Sequence, residues 1–176
     1  RIANNAGRTL AEMVHELALL PLAYQPGSRW HYSLGIDVAA YLIEVLSDQP
    51  LPHFLRERIF RPLGMADTDF CVLPEKQDRL ATMYGRPDIC DPSMTFSKFV
   101  TAWENGFNEQ IDVSVTYPAS RPDDFARGGH GLYSTTWDYM RFAQMLLNQG
   151  TLDGARILGR KVADLMHMNH LPPELL

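Results

Sequence analysis

Pro26-Gly27-Ser28-Arg29-Trp30-His31-Tyr32-Ser33-Leu34-Gly35-Ile36-Asp37-Val38-Ala39-Ala40-Tyr41-Leu42-Ile43-Glu44-Val45-Leu46 changes its periodicity once, and the rest of the chain is ordered around that change. Pro26-Gly27 is a turn dipeptide, and Trp30 and Tyr32 then alternate with Arg29 and His31, as they would along an extended segment. From Leu34 onward Val38, Tyr41, Leu42, Val45 and Leu46 recur at three and four residues, the apolar stripe of an amphipathic helix, with Ser33 placed to cap its start. Tyr32 therefore stands just ahead of a helix N-terminus, where unsatisfied N–H groups and the positive end of the dipole favour an ionised phenol. By residue type alone, Tyr32 also fits a half-buried turn aromatic.

Working outward, Leu10, Met13, Val14 and Leu17 predict a helix over residues 9–20, opened by a Thr9/Glu12 capping box and ended by Pro21. His15 on that helix is given no function. Leu51, Leu55 and Ile59 predict a second stripe, with Pro52 in the first turn and Pro62 and Gly64 as its stop; Arg56, Glu57 and Arg58 read as a solvated face, and Leu63 and Met65 as core. Residues 69–127 are proline-broken, except that Ile111, Val113, Val115 and Tyr117 alternate like a strand for which Met83-Tyr84-Gly85 is a candidate partner. Thr135/Asp138 predicts another capping box, followed by Trp137, Met140, Phe142, Leu146 and Leu147 in a helix that runs to Asn148 and closes at Gly150. Asp153-Gly154 is a tight turn, and Val162, Leu165 and Met166 mark a last helix. His167 and His170 have a spacing that could hold a metal, but without a third ligand they read as a helix end, so no metal and no cofactor is expected.

With 176 residues, 45% hydrophobic, the chain has the size and composition of one globular domain. A net charge of -5 and scattered arginines argue against a nucleic-acid surface, and no apolar run approaches the roughly 18 residues of a membrane span. Cys71 and Cys90 make neither a metal spacing nor a disulfide framework, which points to a reducing, cytoplasmic compartment. The sequence leaves the oligomeric state open.

The Pro26–Leu46 stretch resembles the serine β-lactamase and penicillin-binding protein superfamily, and most closely its carboxylesterase branch, in which a Pro-Gly-x-x-Trp-x-Tyr-Ser run leads into a helix. Two other stretches share the resemblance: Pro50–Thr68, with its Pro62-Leu63-Gly64-Met65 connection, and Arg127-Gly128-Gly129-His130-Gly131-Leu132-Tyr133-Ser134-Thr135. The resemblance implies an α+β fold, mostly α here: the helical subdomain of the β-lactamase/transpeptidase-like fold with a few short strands, and a variable loop region at 69–127. It implies acyl transfer through a seryl ester, with Tyr32 as the catalytic base and Ser33, Leu34, Gly128, Gly129, His130 and Gly131 along a small ester or amide substrate. Trp30 is expected to brace the loop from behind, and Trp103 and Phe107 are candidate pocket walls. Leu34 stands where the family's Tyr-x-Asn or Ser-x-Asn has Asn, which favours an esterase over a β-lactamase; a β-lactamase or D,D-peptidase is the competing enzyme reading. Residues 1–176 contain neither a Ser-x-x-Lys nor a Lys-Thr-Gly-like triplet, and the chain opens without Met. It is therefore read as a partial domain, inactive by itself, whose nucleophile and third motif lie elsewhere in a longer polypeptide; a non-catalytic module that keeps the fold is the competing reading.

Overall fold

Thr9 opens the first helix, α1 (Leu10–Ala18), with both halves of its capping box formed: the Glu12 N–H donates to Thr9 Oγ1 and the Thr9 N–H to Glu12 Oε2. The computed structural model describes residues 9–82, 84–85, 95–106, 109–110 and 126–172. They fall into two units, residues 1–71 with 121–176 and residues 72–120. As the sequence leads one to expect, the described part is mostly helical, with two short two-stranded sheets.

In the first unit α1 is followed by α2 (Gly35–Ser47) and α3 (Leu51–Leu55), with Pro52 in the first turn of α3. The helix then widens over Arg56–Phe60, where the Arg61 N–H reaches back five residues to the Arg56 carbonyl. Two apolar clusters form. Leu10, Met13, Ala40, Leu51, Phe70 and Ala126 make one. Phe60, Leu63, Met65 and Met145 make the other, so Leu63 and Met65 are core as predicted. Met145 belongs to α5 (Thr136–Leu147), beyond which the Gly150 N–H donates back to the Met145 carbonyl at 2.9 Å. Gly150 has φ +90°, and a Cβ there would lie 2.3 Å from the Leu158 carbonyl oxygen, so glycine alone fits. The hairpin β3 (Thr151–Leu152) and β4 (Ala155–Arg156) turns through Asp153 and Gly154, both at positive φ. Helix α6 (Arg160–Met166) follows. His167 Nδ1 and His170 Nε2 lie 2.7 Å from the Ala163 and Leu165 carbonyl oxygens of that helix, so both rings serve its C-terminal end.

Three local expectations need correction. Ser33 does not cap α2: the helix begins one residue later than a Ser33 cap requires, with Leu34 in the cap position and no side-chain cap. The stripes of α2 and α5 form only in part: Val38, Tyr41, Phe142 and Leu146 are half-buried, with Tyr41 against the first cluster and Phe142 and Leu146 against the second. Leu42, Val45 and Leu46, like Trp137, Met140 and Leu147, are exposed, while Asp37 with Ala40 and Asp138 with Met145 face inward. The third concerns Arg56, which is not solvated. Its Nε and a terminal nitrogen donate to the two Asp69 carboxylate oxygens at 2.6 and 3.0 Å, because Asp69 is held beside it by a two-bond bridge to the Tyr133 backbone.

The second unit carries a 3₁₀ turn (Pro74–Arg79), β1 (Tyr84–Gly85) paired antiparallel with β2 (Glu109–Gln110), and α4 (Phe96–Glu104) capped by Thr95. Tyr84-Gly85 is thus a strand partner as expected, but to residues just before the alternating run; Ile111–Tyr117, Phe107 and Cys90 lie outside the described residues. Trp103 is exposed, its ring centroid 6.3 Å from that of Phe99.

Candidate active site

Residues 19–33 run across the surface into α2. Gly27 takes φ +82° in the predicted turn, closed by the Ser28 N–H and hydroxyl donating to the Gln25 carbonyl at 3.1 and 2.7 Å. The Arg29 guanidinium lies 4.9 Å from the centre of the Tyr24 ring, and His31 meets the same ring at a steep angle, so the turn is held by its polar and aromatic neighbours. Trp30 therefore does not brace the loop: it is 66% exposed, and Tyr32 beyond it is 84% exposed. Ser33 is exposed as well, and Leu34 half-buried.

What joins the start of α2 to the glycine loop is Asp37, which the sequence reading passed over. It is the third residue of α2, only 5% exposed, and its Oδ1 accepts from the N–H groups of Gly128 and Gly129 at 3.1 and 3.4 Å. The glycines let the loop come that close. A Cβ on Gly128 would sit 2.2 Å from the Ile36 carbonyl oxygen, and one on Gly129 would sit 3.3 Å from Asp37 Oδ2. The first turns of α2 and the glycine loop are thus in direct contact. Both loop N–H groups are spent on Asp37, which leaves Gly128 and Gly129 to act by shape and not as donors. His130 is exposed at the loop tip, and Gly131 follows with φ +99°.

Behind this contact the Arg127 side chain is buried and donates to the Ala126 carbonyl at 3.0 Å. Burial holds its guanidinium below the ordinary arginine range, opposed by the nearby carboxylates of Asp37 and Glu44. Glu44, seven residues beyond Asp37 on the same face of α2, accepts from the Leu51 N–H at 2.9 Å and so satisfies the start of α3. The available signal was an acid at i and i+7 flanking Ala40 and Tyr41, a polar pair on an otherwise inward-facing row.

Among the described residues no cluster of His, Cys, Asp and Glu could hold a metal ion, and no helix is long and apolar enough to cross a membrane. A family model described as Beta-lactamase matches residues 1–174. Protein Rv1367c of Mycobacterium tuberculosis is 36% identical over 165 residues, which are 90% of this chain and 35% of that protein. Lovastatin esterase of Penicillium rubens is 30% identical, over 92% of this chain and 36% of its own length. Among solved structures, EstCE1, titled a hydrolase with promiscuous acyltransferase activity, superposes with a TM-score of 0.67 at 26% identity, covering 93% of this chain and 41% of that one. The chain spans about a third of the length of the curated relatives it matches. It belongs to the β-lactamase family, within the serine β-lactamase-like fold shared by esterases and acyltransferases.

Proposed function

We propose that residues 1–176 carry the second catalytic element of a serine hydrolase, with Tyr32 as its general base, and that the hydrolase is a carboxylesterase acting on small esters. The observation that carries this reading is the exposed Tyr32 hydroxyl-bearing ring two residues before an uncapped helix start, on a stretch that Asp37 ties to the Gly128-Gly129 loop. A seryl hydroxyl attacking an ester carbonyl must lose its proton. An ionised Tyr32 takes that proton and returns it to the departing alcohol, leaving an acyl-serine that water then cleaves. A phenol has an ordinary pKa of about 10, so this needs a neighbouring ammonium, which the reading assigns to a Ser-x-x-Lys in polypeptide outside residues 1–176. Ser33, Leu34, His130 and Gly131 face the substrate, and Gly128 and Gly129 set the shape of the loop beside it. Leu34 supports ester over β-lactam chemistry because it cannot hydrogen-bond a side-chain amide.

A second acceptor is favoured by the likeness to EstCE1: an alcohol in place of water at the acyl-enzyme would make the same site an acyltransferase.

The test is Tyr32→Phe in the full-length polypeptide that carries this chain, which removes one oxygen from an exposed ring. Loss of a general base typically costs about 10² to 10⁴ in rate, so kcat for p-nitrophenyl acetate is expected to fall by that factor with KM little changed. Retention of more than about a third of kcat is outside that range and would overturn the assignment. A full-length sequence without Ser-x-x-Lys would instead favour a non-catalytic module.

A further inference from the structure

We propose that Asp37 is the positioning residue of this site, holding Tyr32 in register with the glycine loop through its two backbone hydrogen bonds. The proposal rests on the reading of Tyr32 as the base. The stretch from Leu19 to Ser33 contains no buried side chain, so packing does not fix where Tyr32 stands. The nearest buried polar side chain after Tyr32 is Asp37, five residues on, and one oxygen of it takes both the Gly128 and Gly129 N–H groups. The contact is built from both sides. The loop has glycine where any Cβ would strike the Ile36 carbonyl, and α2 has Ala40 where a longer side chain would push the loop away. A carboxylate that merely stabilised α2 could sit at an exposed first-turn position and interact with the dipole there. Asp37 is instead buried, between the helix that follows the base and the loop expected on the other side of the substrate. Removing it leaves two N–H groups without their acceptor and lets the loop and the Tyr32 stretch drift apart, and an error of the order of 1 Å in a reacting group can cost about 10² in rate.

The experiment uses the full-length polypeptide and p-nitrophenyl acetate. Asp37→Ala is expected to lower kcat about tenfold or more, with KM changed by less than about threefold. Asp37→Asn keeps an oxygen that accepts the same two N–H groups and is expected to hold kcat within about threefold of the parent. Asp138→Ala, a buried acid of the same kind on α5, is the structural control: a comparable fall in Tm with kcat within twofold. The decisive reading is the double variant. If Asp37 acts through Tyr32, Asp37→Ala changes kcat by less than about twofold in the Tyr32→Phe background; a purely structural role gives the same loss in both backgrounds. Should Asp37→Ala fail to fold, Gly129→Ala decides, because its Cβ presses on the Asp37 carboxylate by only a few tenths of an ångström, and a kcat loss of about threefold or more is expected. Asp37→Asn as poor as Asp37→Ala, equal losses in both backgrounds, or an unchanged kcat in Asp37→Ala or Gly129→Ala overturns the proposal while a dead Tyr32→Phe leaves the base assignment standing. A fully active Tyr32→Phe overturns both.

Discussion

Helices α2 and α5 are built to one plan and finished differently. Each places an aspartate in its third position, Asp37 and Asp138, turns it inward, and uses it to accept hydrogen bonds, a backbone N–H among them, from a distant segment. Asp138 takes the Asp67 N–H at 2.8 Å and the Thr68 hydroxyl at 2.9 Å, and Thr68 in turn meets Ser134 at 2.8 Å. The start of α5 is also closed by Thr135, whose hydroxyl accepts from the Asp138 N–H at 3.1 Å. At α2 the cap position holds Leu34 and no side chain closes the first turn. The start of α5 therefore has a side-chain cap, and that of α2, whose cap position is two residues after the exposed Tyr32, has none.

The comparison can be broken first through packing. Met145 on the inner face of α5 has no exposed surface, and Met145→Ala is expected to cost about 2 to 5 kcal/mol in a denaturant titration. Leu42→Ala on the outer face of α2 is expected to change stability by less than about 0.5 kcal/mol, the range of exposed substitutions. Equal losses would mean that α2 buries the stripe its sequence suggests, and the inward placement of Asp37 would fall with it.

That placement marks what sequence could and could not disclose. The helices of the first unit, the α1 capping box, the Pro52 start, the Asp153-Gly154 hairpin and the Leu63/Met65 core were legible, because period, caps and turn residues act locally; α4, inside the proline-broken stretch 69–127, was not. The inward faces of α2 and α5 were legible only in part, through Tyr41, Phe142 and Leu146. Apolar counting selects Leu42, Val45 and Leu46, or Trp137 and Met140, yet the burial goes to rows headed by an aspartate, since those rows meet backbone N–H groups contributed from about 70 to 90 residues away. The Thr135/Asp138 pair shows the same limit in one motif. Its threonine half formed as predicted, but the Asp138 carboxylate turned from the cap to Asp67 and Thr68. The turn at Gly27 and the glycine loop were each legible as separate stretches, and Asp37, which ties the start of α2 to that loop, was hidden because an acid in a first helical turn ordinarily reads as a dipole partner.

A smaller effect sharpens the contrast at the two helix starts. Thr135→Ala removes a formed cap and is expected to cost about 1 kcal/mol, whereas Ser33→Ala removes a hydroxyl that caps nothing and is expected to cost no more than a few tenths. Thermal melts of the two variants against the parent decide it. A loss at Ser33 as large as that at Thr135 would close the α2 start after all and take away the open N-terminus on which the Tyr32 reading leans.

The smallest expected effect lies on the α5 side and is one of pH. Tyr133 leads into the Ser134-Thr135 cap, its backbone bridged to Asp69 by the Tyr133 N–H at 2.8 Å and the Asp69 N–H at 3.1 Å, and burial pushes its phenol above the ordinary value of 10.0. Between the unfolded and folded values the folded chain keeps this proton and the unfolded chain releases it. The folded state therefore binds more protons, and stability falls as pH rises. The contribution of Tyr133 is fully present below the unfolded value and is lost as pH climbs through the folded one. Tyr133→Phe keeps the ring and the backbone bridge but has no proton to lose, so its urea midpoint should fall less steeply than the parent's between neutral pH and the alkaline range, with the two curves parallel below pH 9. A Tyr133→Phe midpoint that falls as steeply as the parent's over that range would show that burial on folding does not hold this phenol in its protonated form.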